Sequence, residues 1–459
     1  MSKKFKVQGN WQWICFAVIA LFWFLCFSHG DIVATYDHGL AFLDSLFSGH
    51  PLDFYTNSGN NAIFGSTAIY FIPLYVIFAV WNFPCWLLIH LFNIEMNSVG
   101  CLLWAKGLLV VCVVGSAIVL KKLLTISESK DPNFWSFMYC SSLFVMLPVF
   151  AVAQYDIIGV FITLIAILSY SREEKISVKT ILIFSLAISL KLFALFPFVF
   201  AVLLKEKRIL YVIRNVLGGF IVTVITMSPY ILNNSYTTIS SDFNEGMLGR
   251  MLAITIPTGL NVGISLFFIV FFATCIFAYC LKPQSGKEFI CNIAWLGTLF
   301  YLGFFLFVNL AHPFWIVIMS PYIILLISQN MCQLKLNILL EFIYELSIIF
   351  IHSSVFYWIY LNQGSVSFLV LKNMPINNNL LGMDSFGENP FGFSRFLPAA
   401  AAAFCVTGGA ILILNYLKKP QTEEIDGKDD RIIKKWAYIF RLLCLVGYFA
   451  LDILITYVV

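Results

Sequence analysis

The stretch Gly30–Gly65, GDIVATYDHGLAFLDSLFSGHPLDFYTNSGNNAIFG, decides how the rest of the chain is read. It carries Asp31, Asp37, Asp44 and Asp53, with His38 and His50 among them, in a chain that is only 11% charged. It follows an apolar run over residues 11–29 that is preceded by Lys3, Lys4 and Lys6. Basic residues stay on the cytoplasmic side of a membrane. The run therefore reads as a first transmembrane helix leading outward, and the acidic stretch as a loop on the outer face. A chain this poor in charge does not need four carboxylates at one face merely to fold, so the loop is expected to carry chemistry.

The whole chain agrees with that start. Of its 459 residues, 60% are hydrophobic, and the mean hydropathy is +0.89. Apolar runs of roughly 17 to 25 residues recur along it, the length that crosses a bilayer as a helix. The expected fold is all-α: a polytopic transmembrane bundle of about 12 to 13 helices, some short or re-entrant, with an interfacial helix in the first outer loop. Residues 1–335 are expected to form the working module, with outer loops 30–65 and 231–259. Residues 336–459 add C-terminal helices and an outer loop at 361–396. The N-terminal run is long for a signal peptide and LCFSHGD lacks a small-x-small cleavage pattern, so it is expected to be retained. No basic run suits nucleic acid. The twelve cysteines lie almost entirely in apolar runs and form no CxxC pair, which makes them packing residues.

Within the first loop, Leu40, Leu43, Leu46 and Phe47 recur at helical spacing. A short interfacial helix over Tyr36–Phe47 is expected, stopped at Ser48-Gly49-His50-Pro51. Residues 66–81 read as an inward span, broken at Asn82-Phe83-Pro84. The short run 85–94 and the full span 101–120 follow. Lys121, Lys122 and Lys130 read as cytoplasmic, so 85–94 must either cross as a short helix or pair as a re-entrant segment. Thereafter apolar runs alternate regularly. Gln154-Tyr155-Asp156 falls at an outer turn, Lys191 between two short helices (180–190 and 192–204), and Arg250 in a polar outer loop at 231–259. The corner Ala311-His312-Pro313-Phe314-Trp315 is also outer. This layout leaves only Lys106, Lys191, Arg250, Lys372 and Arg395 of the 28 Lys and Arg off the cytoplasmic side. Acidic residues collect outside instead, Asp242 and Glu245 among them. No internal repeat is found.

Asp31 is the first charge beyond the first span. A carboxylate held at that surface can act as a general base on a hydroxyl, or can simply cap the interface. Asp37, beside His38 in a polar cluster, is the alternative base. Asp44 reads as a solvated face and His50 as a turn. Asp156 can hold an acceptor, a divalent metal or a neighbouring loop, or can satisfy a helix N-terminus. No ligand constellation accompanies it. Lys191, in the apolar segment SLKLFALFPF, needs an anion or a path to the interface. A lipid phosphate would serve, as would Asp156. Arg250 can share that phosphate and His312 can contact a donor. Glu341 and Glu345, one turn apart in an apolar run, face polar neighbours or form a proton path.

Four landmarks in order resemble the GT-C superfamily of polytopic membrane glycosyltransferases. They are an acidic outer loop after the first helix (Gly30-Asp31 onward), a proline-bearing second helix (Phe71-Ile72-Pro73-Leu74-Tyr75), the Gln154-Tyr155-Asp156 turn, and the short-helix pair Lys191 to Pro197. The corner His312-Pro313-Phe314-Trp315, before Ser320-Pro321-Tyr322, is similar to a later landmark. The resemblance spans Gly30 to Tyr322. It implies inverting transfer of a sugar from a polyprenyl-phosphate donor to a lipid or glycan acceptor, with the acid after the first helix, Asp31, as base. The sequence departs from the common pattern in lacking an acidic pair there: Ile32-Val33 follow Asp31, and the next acid is Asp37. The helix-2 double proline is reduced to Ile72-Pro73. The expected location is a cell membrane, a bacterial plasma membrane, with the N-terminus cytoplasmic. Two rivals use the same pocket: a non-enzymatic transporter or flippase of lipid-linked glycan, and a polysaccharide polymerase or ligase. Absence of repeats weighs against the first. Having only Arg250 and Arg395 outside weighs against the second.

Overall fold

A computed structural model describes residues 11–27, 29–59, 67–96, 98–259, 262–309, 311–355, 393–416 and 427–457. The N-terminal lysines, most of the 361–396 loop with Lys372, and the first half of the hydrophilic 418–435 loop lie outside these residues. The chain is predominantly helical. Among the described residues four helices are long and apolar enough to cross a membrane, or seven if each of three bent helix pairs counts as one span. Five shorter apolar helices of 10–17 residues accompany them.

Helix α1 (Trp11–Cys26) ends where Lys106 meets it: the Lys106 ammonium donates to the carbonyls of Phe24 and Phe27 at 2.9 and 2.8 Å. Helix α2 (Gly30–Phe47) follows at once. The interfacial helix expected over 36–47 is thus longer and better buried. His29 caps it, its Nδ1 accepting from the Asp31 N–H at 3.1 Å. The Asp31 carboxylate in the first turn suits the positive end of the helix. Ile32, Tyr36, Leu40 and Leu43 form its buried stripe, and the turn ends at Gly49, φ +81°. At Gly39 a Cβ would sit 3.1 Å from the Phe78 backbone, so α2 crosses its neighbour at close range.

That neighbour is α3 (Ile72–Phe92), which corrects the expected break. Pro84 lies inside a continuous helix. Proline removes one ladder bond, but packing on both sides can hold the rest of the helix together. Here Phe83 and Trp86 stack along the surface, 6.0 Å apart, and Trp81 stacks on Trp104 at 5.3 Å. Helix α4 (Val99–Ile126) then runs antiparallel to α1, with Ala117 and Lys121 sharing a cleft wall with Trp13 and Phe16.

Helix α5 (Pro132–Cys140) bends by 47° into the segment Leu143–Ala151. Helices α6 (Asp156–Ser171), α7 (Val178–Leu190) and α8 (Leu195–Lys205) follow, with a 3₁₀ turn at Leu192–Ala194. Next come α9 (Ile209–Gly218), α10 (Ile221–Leu232) and α11 (Ser235–Leu252). The polar loop expected over 231–259 is therefore largely helix. A two-stranded antiparallel hairpin, β1 (Thr255–Pro257) with β2 (Gly263–Ser265), closes it, so the fold is not strictly all-α. The remainder comprises α12 (Leu266–Cys280), α13 (Gly286–Phe307), α14 (Ser320–Ile327), α15 (Leu334–Val355), α16 (Leu397–Leu414) and α17 (Gly427–Tyr457).

The bundle has two chemically distinct ends. At one end lie the turns bearing Arg172, Lys175 and Lys207. There Lys287 pairs with Glu128 at 2.8 Å, Lys434 with Asp131 at 3.2 Å, and the Ser129 hydroxyl donates to the Ser328 carbonyl at 3.1 Å. At the other end lie Asp31, Gln154, Lys191, Arg250 and His312. Between the ends is a third charged cluster. Arg441 of α17 pairs with both Glu341 and Glu345 of α15, and the Ser142 hydroxyl donates to Glu345. All four residues are buried.

Candidate functional site

At the end opposite the basic turns, a cavity of about 460 Å³ opens between elements far apart in sequence. Asp31 and Gln154 line it on one side, Arg250 and His312 on another, with Tyr155 and Lys191 also in its wall. Six of the candidate residues read from sequence thus face one space or its rim. Asp156 lies directly behind it.

Each side chain is placed by a helix end. Asp156 opens α6 and Lys191 closes α7, so the carboxylate sits at a positive helix end and the ammonium at a negative one. The two meet with Nζ 3.0 Å from Oδ1; the Asp156 side chain is fully buried and that of Lys191 is 13% exposed. The Lys191 ammonium also donates to the Tyr155 hydroxyl at 3.3 Å and stands over the rings of Tyr70 and Tyr155, 4.5 and 4.6 Å from their centres. This is a cationic group held from below by an anion and from the sides by aromatic faces. A void of about 20 Å³ beneath it, between Asp156, Thr163 and Tyr322, has room for about one water.

The Asp31 carboxylate is 32% exposed and accepts a hydrogen bond from the Gln154 side-chain amide. His29 Nδ1 lies 3.6 Å from its other oxygen. Burial lowers the pKa of His29, and Asp31 only partly offsets this. Across the cavity Arg250 Nη1 lies 3.4 Å from His312 Nε2. Arg250 comes from α11, and its backbone carbonyl accepts from the Asn309 N–H at 3.0 Å, joining that helix to the corner before His312. His312 stacks on Phe314 at 5.0 Å and meets the Trp315 face edge-on at 4.7 Å. Burial, then the charges of Arg250 and Lys191, push its pKa down to about 4.

Asp37 and His38 go elsewhere. Both are buried, and neither lines the cavity. His38 packs edge-on against Tyr75 at 5.6 Å. Asp44 is exposed and accepts from the Trp86 indole N–H at 2.6 Å. His50 and Asp53 lie at an exposed turn, 3.9 Å apart. Among the described residues no three His, Cys, Asp or Glu side chains converge as a metal site, and Asp156 faces an ammonium instead. Tyr70, His29 and Trp315 were not legible as site residues. An aromatic or histidine in an aromatic-rich chain carries no signal until its neighbours are known.

The rest of the wall is apolar: Phe71, Leu192, Phe193, Phe196, Met247 and Phe314. The cavity thus joins a partly exposed carboxylate, two fixed cations and a greasy lining. That combination can hold an anion attached to an apolar chain while a base stands at its edge. Comparison with protein-family models, with curated proteins and with solved structures finds no match for this chain.

Proposed function

We propose that the protein is a polytopic membrane glycosyltransferase that moves a sugar from a polyprenyl-phosphate carrier to an acceptor hydroxyl on the outer face of a cell membrane. One observation carries the reading: Asp31 and Lys191, 160 positions apart in the chain, share a single apolar-walled cavity. The apolar wall suits the first prenyl units. Lys191 and Arg250 suit the phosphate, whose charge grows as the sugar–phosphate bond breaks. Asp31 removes the acceptor proton as its oxygen attacks the anomeric carbon from the face opposite the phosphate. The bond to carbon forms as the bond to phosphate breaks, and the carrier phosphate leaves as an anion. Gln154 orients the carboxylate through its amide. Of the two acids considered as base, Asp31 is favoured because it lines the cavity and Asp37 does not.

The test is transfer by the full-length protein in liposomes containing a polyprenyl-phosphate sugar and a hydroxyl acceptor. Release of free polyprenyl phosphate is expected; Asp31→Asn should slow it by roughly 10²- to 10⁴-fold, and Lys191→Ala should abolish it. Movement of intact lipid-linked sugar across the bilayer with no release would favour the transporter reading. Full release by both variants would overturn the mechanism.

A further inference from the structure

Helix α3 is 21 residues long, strongly apolar and without Asp, Glu, Lys or Arg, which is the composition of a membrane span. Its neighbours point elsewhere. α4 serves as a ruler. Lys106 marks the level of the α1 C-terminal end, and the cleft that Gly107 to Lys121 share with Trp13 to Phe24 shows α4 running from there back along α1. The residues of α4 before Lys106 therefore extend beyond α1 on the site side. Trp104 and Cys101 in that extension meet α3, and the Trp81 ring reaches as far as Gly107. Trp81 and Trp104 each donate an indole N–H to the other's carbonyl, at 2.7 and 2.8 Å. Cys85, another turn along, lies against Cys101.

The beginning of α3 is at the same end. Tyr70, just before it, meets Tyr155 with ring centres 5.4 Å apart, at the cavity. The Ile72 N–H points to Met227 Sδ at 3.3 Å, near the far end of α10. Mid-helix, Phe78 lies 6.4 Å from Tyr155. A helix crossing inward from Tyr70 would bring Cys85 beside residues near Ala117, not beside Cys101.

We infer that α3 does not cross the membrane but lies in the leaflet at the site end, its apolar side on the lipid. Val80, Leu91 and Phe92 are 72%, 67% and 68% exposed, and Phe83 and Leu88 extend the same uncharged surface. Trp81, Trp86 and Trp104 flank it, the residue type that settles at the boundary between head groups and acyl chains. The occupant of this face is the bilayer's own lipid. The turn at 93–98 then lies on the same side of the membrane as Asp31. This also removes the difficulty in the span count. With α1 and α4 as consecutive crossings, Lys121 and Lys122 return to the side of the N-terminal lysines without any crossing by 66–94. The inference rests on the chain being a membrane protein and not on its being a transferase.

An epitope inserted after Glu95 in the full-length protein is compared with insertions at Asp53, at the site end, and at Glu174, at the basic end. Antibody access in intact and permeabilised cells should group the Glu95 insertion with the Asp53 one. Grouping with Glu174 would overturn the inference. Should an insertion prevent folding, nitroxide labels on a genetically encoded keto amino acid at Val80 and Leu91 give the same answer. A crossing helix separates these positions by ~16 Å along the bilayer normal. A helix lying in the leaflet leaves them at similar shallow depths, and a separation near the full value would sink the inference.

Discussion

Two buried ion clusters hold this bundle, and they differ in what surrounds them. Arg441 sits between Glu341 and Glu345, its side chain only 3% exposed, with Ser142 completing the set. Lys191 sits on a fully buried Asp156 but is itself 13% exposed, and its ammonium also borders a cavity containing a second carboxylate and a second cation. Burying charge is expensive in either place. In the first cluster the cost is met by sealing the charges against each other, which joins α17 to α15. In the second, one face of the cation is left for something else. The contrast predicts that the sealed cluster can be replaced by apolar residues with transfer intact, and that the open one cannot.

The strongest way to break the comparison is at the sealed cluster. Arg441→Met should strand two buried carboxylates and destabilise the protein by about 3–5 kcal/mol. Thermal unfolding in detergent and the amount of folded protein in membranes would read this loss. Replacing the set together (Arg441→Met, Glu341→Leu, Glu345→Leu) should restore stability and leave transfer intact. If the triple variant folds but lacks activity, the cluster is more than a fastening.

The open cluster should behave in the reverse way. Asp31→Asn should leave the unfolding temperature nearly unchanged, because the side chain is partly exposed and the amide keeps a partner in Gln154. Transfer should fall by roughly 10²- to 10⁴-fold, the usual contribution of a general base. Lys191→Met alone confounds two effects, since it strands Asp156. The double variant Lys191→Met/Asp156→Asn should regain the folding stability that the single one loses while transfer stays absent. Recovery of both together would put this cluster in the same class as that of Arg441.

The smallest effect concerns acid. His312 is held down to about 4 by burial, then by Arg250 and Lys191, against an ordinary value of 6.5. Its unfolded form therefore takes up a proton first as pH falls. The contribution of His312 to stability is complete above pH 6.5 and is lost progressively between 6.5 and about 4. His29, lowered chiefly by its burial, acts in the same direction. Melting curves across this window should show a shallower decline for His312→Asn than for the parent protein. An anion bound beside Arg250 opposes the depression, so affinity for a lipid phosphate should rise as pH falls toward about 4. A pH-independent affinity would place the phosphate away from His312.

What was legible depended on how unusual each residue was for its surroundings. Lys191 in SLKLFALFPF and Asp156 after a long apolar run stand out because a lone charge there has few alternatives. His312 was marked by its corner, and Arg250 by its place in the polar 231–259 loop. The partner of Glu341 and Glu345 was not legible, because Arg441 is 100 positions from Glu341 and no local pattern joins them. Helix α11 was misread because SYTTISSDFNEG has no apolar stripe; a helix with little buried surface leaves no periodic trace. Pro84 was misread in the other direction. Proline is a breaker by itself, but stacking by Trp81, Phe83 and Trp86 on the surface of α3 is a property of the assembled structure.

By itself the chain determined its solvent and its charges. A composition this apolar requires helices whose backbone groups are satisfied internally, and the placing of Lys and Arg between apolar runs divides the molecule into a basic end and a site end. Only the tertiary structure decided which charges meet. Pairing depends on distances of 3–4 Å between groups brought together by packing, and helix ends from Asp31 to His312 converge through contacts that no local sequence window contains. The same reason separates α3 from the helices it resembles: hydropathy sets what a segment can enter, while its neighbours set where it lies.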